Sequence, residues 1–375
     1  MIYFDHHAAT APVKEVLTAM REAEAFAWAN PSSIHAAGQK ARALLDEARR
    51  RVAASVGADA NEIVFTSGGT EALHLAMNGV ARGMPPRHVI TSEIEHPAIA
   101  ATLDAWQKNG TRVTRLKVLH GIPPDADALR NAVEPTTDLV VLQWVNHETG
   151  TLLPVHDYAA VCHENQIPLV VDGTQALGKV PVDAHALGAA ALIIAGHKMG
   201  GPAGIGAVVI RKGVDLRPAV LGGAQERGRR AGTPDVVRAV GFGVACLHLP
   251  SRLATMPAVA ALRSAMEAEL VALGAVVNGA EGPRVATVAN VSIQEKQGTL
   301  VVAAMDLEGV CLSSGAACSS GVAQASPVLR AMYPDQSWRA DTALRLSFGP
   351  SNTRAEVDTA LRKFALVLPR IPNLG

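Results

Sequence analysis

From residue 60 onward, short apolar runs recur along the chain, each closed by polar or turn residues: 62–65, 88–90, 113–116, 139–145, 168–171, 190–194 and 205–210. Runs this short and mainly apolar are the signature of strands buried on both faces. Between several of them the hydrophobic period lengthens to that of a helix, as at 71–81 and 98–108. Strands spaced by helices predict an α/β fold with a mostly parallel sheet flanked by helices. The final connection is short and holds Gly201, Gly204 and Gly206, so the strand after it is expected to run antiparallel, at a sheet edge.

The rhythm changes after Leu249-Pro250. A long Ala/Leu/Glu helix is predicted over 257–273, strands over 285–293 and 343–348, and a closing helix after them. Thr353 and, three residues on, Glu356 form a capping-box pattern at the start of that helix. A smaller α+β unit following a larger α/β one is the expected organisation.

Composition narrows the class. Hydrophobic residues make up 49% and charged residues 18% of 375, enough for a large core and incompatible with general disorder. With 34 Lys+Arg against 34 Asp+Glu the net charge is zero, which excludes a global basic field, so direct nucleic-acid binding is not expected. No uninterrupted apolar stretch is long enough to span a membrane. The opening MIYFDHHAAT lacks a basic n-region and does not read as a secretory signal. Four cysteines are too few for a disulfide scaffold, and a reducing, cytoplasmic setting is expected. Cys162 and Cys246 sit in apolar helical stretches and Cys311 at a strand-like end, all read as structural. Cys318 lies among Ser, Gly and Ala, a composition expected on an exposed, mobile loop and suited to nucleophilic attack.

Several segments carry candidate chemistry. FTSGGTEA (65–72) leaves a strand and opens a helix, so the amides of Gly68 and Gly69 and the Thr70 hydroxyl can face an anion. VVDGTQ (170–175) places Asp172 at the end of a buried strand, where ligands of open α/β sheets bind, with Gln175 beside it. IIAGHKMGGPAGIG (193–206) sets His197 and Lys198 after an apolar strand, a setting that makes Lys198 a usable amine. SEIEHPAI (92–99) adds His96 at another strand end, and ALRLSFG (343–349) adds Arg345, able to clamp a carboxylate bidentately. Taken singly, each has a plainer reading: a tight turn, a helix cap, a solvated lysine, a hydrogen-bonded histidine, a surface ion pair. Together, an anion loop, an acid, an amine, a ring-facing histidine, a carboxylate clamp and a thiol match pyridoxal phosphate chemistry.

In order and wording these segments resemble the NifS/IscS-type cysteine desulfurases, fold-type I pyridoxal phosphate enzymes of the class-V aminotransferase family. The resemblance also covers YFDHHAAT, ANPSSIHAAG, VDGTQALGKVPVD, GGAQERGRRAGTPD, SSGAACSSG and SNTRAEVD, essentially the whole chain, and the context of Cys318 is similar to the long-loop subgroup. It implies an aspartate-aminotransferase-like fold. A large cofactor-binding domain with a seven-stranded sheet would span 15–250, and 1–14 with 251–375 would form a small domain carrying the Cys318 loop. It implies that Lys198 joins the pyridoxal 5'-phosphate aldehyde through its amine, that Asp172 pairs with the ring nitrogen and that Gln175 contacts the ring oxygen. His96 would stack on the ring and shuttle protons. Gly69, Thr70 and His197 would hold the phosphate, with Thr233 arriving from the second subunit of a homodimer. Asn30 and Arg345 would bind the carboxylate of L-cysteine, and Cys318 would take its sulfur and pass it to an acceptor protein such as an iron–sulfur scaffold.

Two positions depart from the family pattern. Ala195 replaces the usual Ser before GHK, which removes a phosphate hydroxyl, and His147 stands where a second Asn usually meets the ring oxygen. A neutral His still donates one hydrogen bond there. Three other readings compete. Asp5-His6-His7 is similar to the DHH motif of metal phosphoesterases, but no further Asp/His set completes a metal site. A pyridoxal-fold scaffold would have no use for Lys198, Asp172, His96 and Cys318 together. A selenocysteine lyase would use them all.

Overall fold

The computed structural model describes residues 1–315 and 325–374. Cys318, and with it the expected mobile loop, lies outside the described residues. The chain opens with a two-residue strand, β1 (Ile2–Tyr3). Seven strands then build the main sheet: β2 (Ile63–Thr66), β3 (His88–Ser92), β4 (Arg112–Leu116), β5 (Thr137–Gln143), β6 (Leu169–Asp172), β7 (Ala191–Ala195) and β8 (Gly206–Ile210). Their order is β2-β8-β7-β6-β5-β3-β4. All neighbours are parallel except β8, which runs antiparallel to both β7 and β2.

The unbroken apolar runs are explained by what covers each face. Along the strands, alternate residues enter two different cores: Val140 and Leu142, Leu169 and Val171, Leu192 and Ile194 join one, while Leu139 and Val141, Val170, and Ala191 and Ile193 join the other. Helices Ala36–Ser55 and Val236–Leu247 close the first through Leu45, Val52 and Phe242. Helices Gly69–Val80 and Pro97–Lys108 close the second through Leu73, Met77, Ile99 and Leu103. With both faces buried, neither set of positions is free to be polar.

β8 is antiparallel as its short connection requires, but it is not at an edge. β2, the first long strand of the chain, adds on its outer side and becomes the edge instead. The approach is close: a Cβ on Gly206 would lie 2.7 Å from the carbonyl carbon of Gly68, so β8 passes directly beneath the turn leaving β2. Strand order depends on such long-range packing, which local sequence does not carry.

Beyond residue 250, β9 (Ala275–Val277), β10 (Val288–Ile293) and β12 (Ala343–Ser347) form an antiparallel sheet in the order β12-β10-β9, while β11 (Val310–Cys311) pairs in parallel with β1. Helices Met256–Ala272 and Arg354–Val367 pack on this sheet around a third core of Met266, Leu270, Val291, Leu344, Leu346 and Phe364. The capping box of Thr353 and Glu356 is present, with the Thr353 N–H donating to Glu356 Oε2 at 2.8 Å. Phe4 belongs to the same core, and the Ser347 N–H donates to its carbonyl at 2.7 Å. The chain then crosses to the main sheet, where the Thr10 N–H donates to the His197 carbonyl at 2.8 Å.

Candidate active site

Because β8 is antiparallel to both of its neighbours, β2 points the same way as β3, β5, β6 and β7, and the C-terminal ends of these five strands meet at one sheet edge. A cavity of about 140 Å³ opens there. Each strand supplies its lining in turn: Gly69 and Thr70 after β2, His96 after β3, Gln143, Val145 and His147 from β5 and the turn beyond it, Asp172, Thr174 and Gln175 from β6, and His197 and Lys198 after β7. The sequence segments singled out above thus converge because strand ends of a parallel sheet converge.

The anion side of this cavity is the start of the helix Gly69–Val80. Its cap is Gly68, which has no side chain to occupy the first amides, so those donors and the positive end of the helix face the cavity. Ala195 lies against the same turn, its Cβ 3.7 Å from where a Gly69 Cβ would sit. Glu71 is not part of the cavity lining and is tied to Arg230 at 2.7 Å. Burial and the neighbouring Lys198 and Lys179 charges push His197 down to about 4, so its ring is neutral when no anion is bound.

Opposite, Asp172 is 6% exposed, and its Oδ1 accepts the Thr174 N–H at 2.9 Å. His96 caps the helix Pro97–Lys108: its Nδ1 accepts the Ala98 N–H at 3.1 Å, so in the neutral ring the proton sits on Nε2. The His96 ring stands edge-on to that of His147, centroids 5.2 Å apart. Burial above all, then the charges of His96, Arg345 and Lys198, hold His147 well below the usual imidazole range. Lys198 Nζ donates to the carbonyls of His7 at 2.7 Å and Ala8 at 3.0 Å. Gln175 Nε2 donates to the same His7 carbonyl at 2.9 Å, and its Oε1 accepts from the buried Lys179.

Three polar atoms of the lining are buried with no hydrogen-bond partner among the described residues: Nδ1 and Nε2 of His147 and Oγ1 of Thr174. Such orphans are rare in a finished core and are what a polar ligand would satisfy. An uncapped helix start, a carboxylate, an amine and the unpartnered ring nitrogens of His147 around one small cavity fit a flat, phosphorylated aromatic aldehyde such as pyridoxal phosphate.

Arg345 does not line the cavity but stands behind His147. It is 2% exposed, so the surface ion pair is excluded. Its Nη2 donates to Asp5 Oδ1 at 2.8 Å and its Nη1 to the His147 carbonyl at 3.1 Å, while Nε has no partner among the described residues. Asn30 and Thr233 are exposed and are not in the cavity lining. Asn30 Oδ1 accepts the Ser32 N–H at 2.9 Å.

The Asp5-His6-His7 segment does not converge on a metal. Asp5 is held by Arg345, His6 Nδ1 lies 3.4 Å from Thr10 Oγ1, and His7 Nε2 lies 2.9 Å from Thr287 Oγ1. Sequence reasoning passed over Thr174, Lys179 and Glu95. Thr174 had a signal, standing between Asp172 and Gln175 in one turn. Glu95 is pushed up to about 8, chiefly by burial and also by the Asp172 charge. Its Oε2 accepts the Gln143 N–H at 2.9 Å and Ser92 donates to its Oε1.

The pattern of the family described as "Aminotransferase class-V" matches residues 2–360. The chain belongs to that family. A Mycobacterium tuberculosis protein named "IscS-like cysteine desulfurase" is 38% identical over 374 residues, covering 96% of this chain and 94% of that protein. Among solved structures, a "NifS-like protein" superposes with a TM-score of 0.91 at 30% identity, over 99% of this chain and 100% of its own. Another, described as "SspA in complex with cysteine", gives a TM-score of 0.82 at 31% identity, over 94% and 100%. These likenesses bear out the fold expected from the strand–helix rhythm and the family resemblance.

Proposed function

We propose that this member of the class-V aminotransferase family is a cysteine desulfurase that converts L-cysteine to L-alanine and hands the sulfur, as a persulfide on Cys318, to an acceptor protein. The observation that carries the reading is the convergence of Lys198, Asp172, His96 and the uncapped Gly69 helix on one small cavity. Relatives of nearly equal length named cysteine desulfurase support it.

Pyridoxal phosphate bound there supplies an aldehyde for exchange of amines and a ring that draws electrons away from the substrate Cα. Gly69, Thr70 and His197 would take its phosphate, joined by Thr233 from the second subunit of a homodimer. Asp172, fixed by the Thr174 amide, would hold a proton on the ring nitrogen, and His147 or Gln175 would donate to the ring oxygen. His96 would pack on the ring face, with Nε2 left to move a proton because Nδ1 is taken by the Ala98 N–H. Lys198 would leave the carbonyls of His7 and Ala8 to hold the cofactor, and its amine, once displaced by substrate, would take the proton from the substrate Cα. Arg345, whose Nε has no partner among the described residues, and Asn30 would bind the substrate carboxylate. The Cys318 thiolate attacks the substrate sulfur. The S–S bond forms as the Cβ–S bond breaks, the bonding pair stays with the carbon skeleton, and protonation there yields alanine, so no external oxidant or reductant is consumed.

The charge balance, the few cysteines and the absence, among the described residues, of any helix long and apolar enough to cross a membrane support a cytoplasmic setting. An iron–sulfur scaffold or another thiolation enzyme is the kind of acceptor this chemistry serves. The test is incubation of the loaded protein with L-cysteine, following alanine and the gain of one sulfur atom on Cys318 by mass spectrometry. Both should form in the native chain and neither in Lys198→Ala; alanine formation by Lys198→Ala at the native rate would end the proposal.

A further inference from the structure

Glu148 is a fully buried acid whose place in the reaction is not accounted for above. It follows His147 in the turn after β5, and its backbone is locked from both sides. Its N–H donates to Asn146 Oδ1 at 2.9 Å, and its carbonyl accepts from Asn290 Nδ2 at 3.2 Å.

Its two oxygens meet different things. Oε2 accepts from Ser326 Oγ at 2.6 Å, and that same hydroxyl accepts the Leu329 N–H at 3.0 Å, capping the helix Pro327–Met332. Gly315 lies against the same oxygen from the other side. A Cβ there would be 3.5 Å from Glu148 Oε2 and 3.5 Å from the Ser326 Cβ, and its φ of +74° suits glycine. Gly315 and Ser326 stand on the two sides of residues 316–324, so one carboxyl is bonded to one flank of the segment that holds Cys318 and has the other flank close by. Oε1 has no hydrogen-bond partner among the described residues and lies 3.7 Å from His147 Nε2, itself buried and without one.

We propose that Glu148 is a positioning residue for sulfur transfer: it joins the Gly315 and Ser326 flanks of the Cys318 segment to the cavity wall at His147. The inference rests on the cysteine desulfurase reading. A hydrocarbon side chain would fill the same space without burying a carboxyl, so simple packing does not account for an acid here. Burial raises its pKa, against the opposing influence of Ser326 and Arg345, and a neutral carboxylic acid can accept from Ser326 and turn its own proton toward the imidazole.

The experiment compares the native chain with Glu148→Ala, Glu148→Gln and Ser326→Ala. Pyridoxal phosphate affinity is read by fluorescence titration of the cofactor-free proteins. Persulfide formation on Cys318 is read by mass spectrometry in a single turnover of the loaded ones. Glu148→Ala should hold the cofactor within about two-fold of native yet form persulfide about ten- to a hundred-fold more slowly, the upper figure being the scale of a reacting group displaced by about an ångström. Glu148→Gln keeps an acceptor for Ser326 and should restore most of the rate. Ser326→Ala should be slowed in part, and the double variant Glu148→Ala/Ser326→Ala no further than Glu148→Ala alone, because the two share one contact. Equal loss of cofactor affinity and persulfide rate in Glu148→Ala, a Gln variant as impaired as the Ala one, or native persulfide rates would each overturn the assignment. If Glu148→Ala does not fold, the Gln and Ser326 variants decide by the same criteria. A native chain that forms no persulfide at Cys318 would instead sink the functional reading, so the two failures are distinguishable.

Discussion

Arg49 and Arg345 are both buried against carboxylates, yet one is used up and the other is not. Arg49 gives Nη1 to Glu226 Oε2 at 2.6 Å and to the Ile63 carbonyl at 2.8 Å, and Nη2 to Glu226 Oε1 at 2.7 Å. Glu226 also accepts the Phe65 N–H at 2.9 Å. This closed, bidentate pair holds Glu226 and Arg227, whose φ values are +47° and +58°, against β2 and the helix Ala36–Ser55. Its work is complete once the chain has folded. Arg345 has a single carboxylate contact, to Asp5, and an Nε without a partner among the described residues. A buried guanidinium left partly unsatisfied costs stability unless something else completes it. The contrast separates an ion pair that is architecture from one that leaves a buried guanidinium with a donor to offer, as the proposed carboxylate clamp requires.

Three experiments test that contrast. The largest effect is expected from Glu226→Ala, which strands the Arg49 charge in the interior and should lower unfolding free energy by about 3–5 kcal/mol in urea titration, with the KM for cysteine of the folded fraction unchanged. A cost under about 1 kcal/mol, the range of exposed pairs, would refute the closed-pair reading. Next, Arg345→Ala should raise the cysteine KM by about ten- to a hundred-fold, corresponding to about 1.5–3 kcal/mol for a lost charged hydrogen bond. Arg345→Lys should recover only part of it, because a point charge lacks the fork. An unaltered KM in Arg345→Ala would move Arg345 into the same class as Arg49.

The smallest effect concerns Glu95, a buried carboxyl with no arginine within ion-pair distance among the described residues. Its pKa is about 8 in the folded chain, against the carboxylate's ordinary 4.5. Between those two values the folded state keeps a proton that the unfolded state has released, so stability falls as pH rises through this window. Urea midpoints measured near its two ends should show that decline, and Glu95→Gln, which has no proton to lose, should flatten it. A slope identical in the variant would remove Glu95 as its source.

Most of the fold was legible because its signal is local. All main-sheet strands but β4, the partly covered RVTRL at the far edge, announce themselves by a mainly apolar run, and the helix after residue 353 does so by its capping box. What could not be read is what pairing across the chain decides, such as β2 rather than β8 at the edge. The candidate site divides along the same line. Residues at strand ends, such as Asp172 and Lys198, were visible because the parallel-sheet topology predicts where ligands bind. The Asp5 partner of Arg345, the Lys179 contact of Gln175 and the two flanks meeting at Glu148 come from distant segments, and nothing local marks them.

The His7 carbonyl accepts from Gln175 and from Lys198, within a segment stitched to β11 and to Ser347. The opening residues therefore act as a mooring for the reactive amine. Any molecule that claims Lys198 must first cast it off from two peptide oxygens, and each release of the amine lets it tie up again. Occupancy of the cavity and the grip of the first ten residues are opposite pans of one balance.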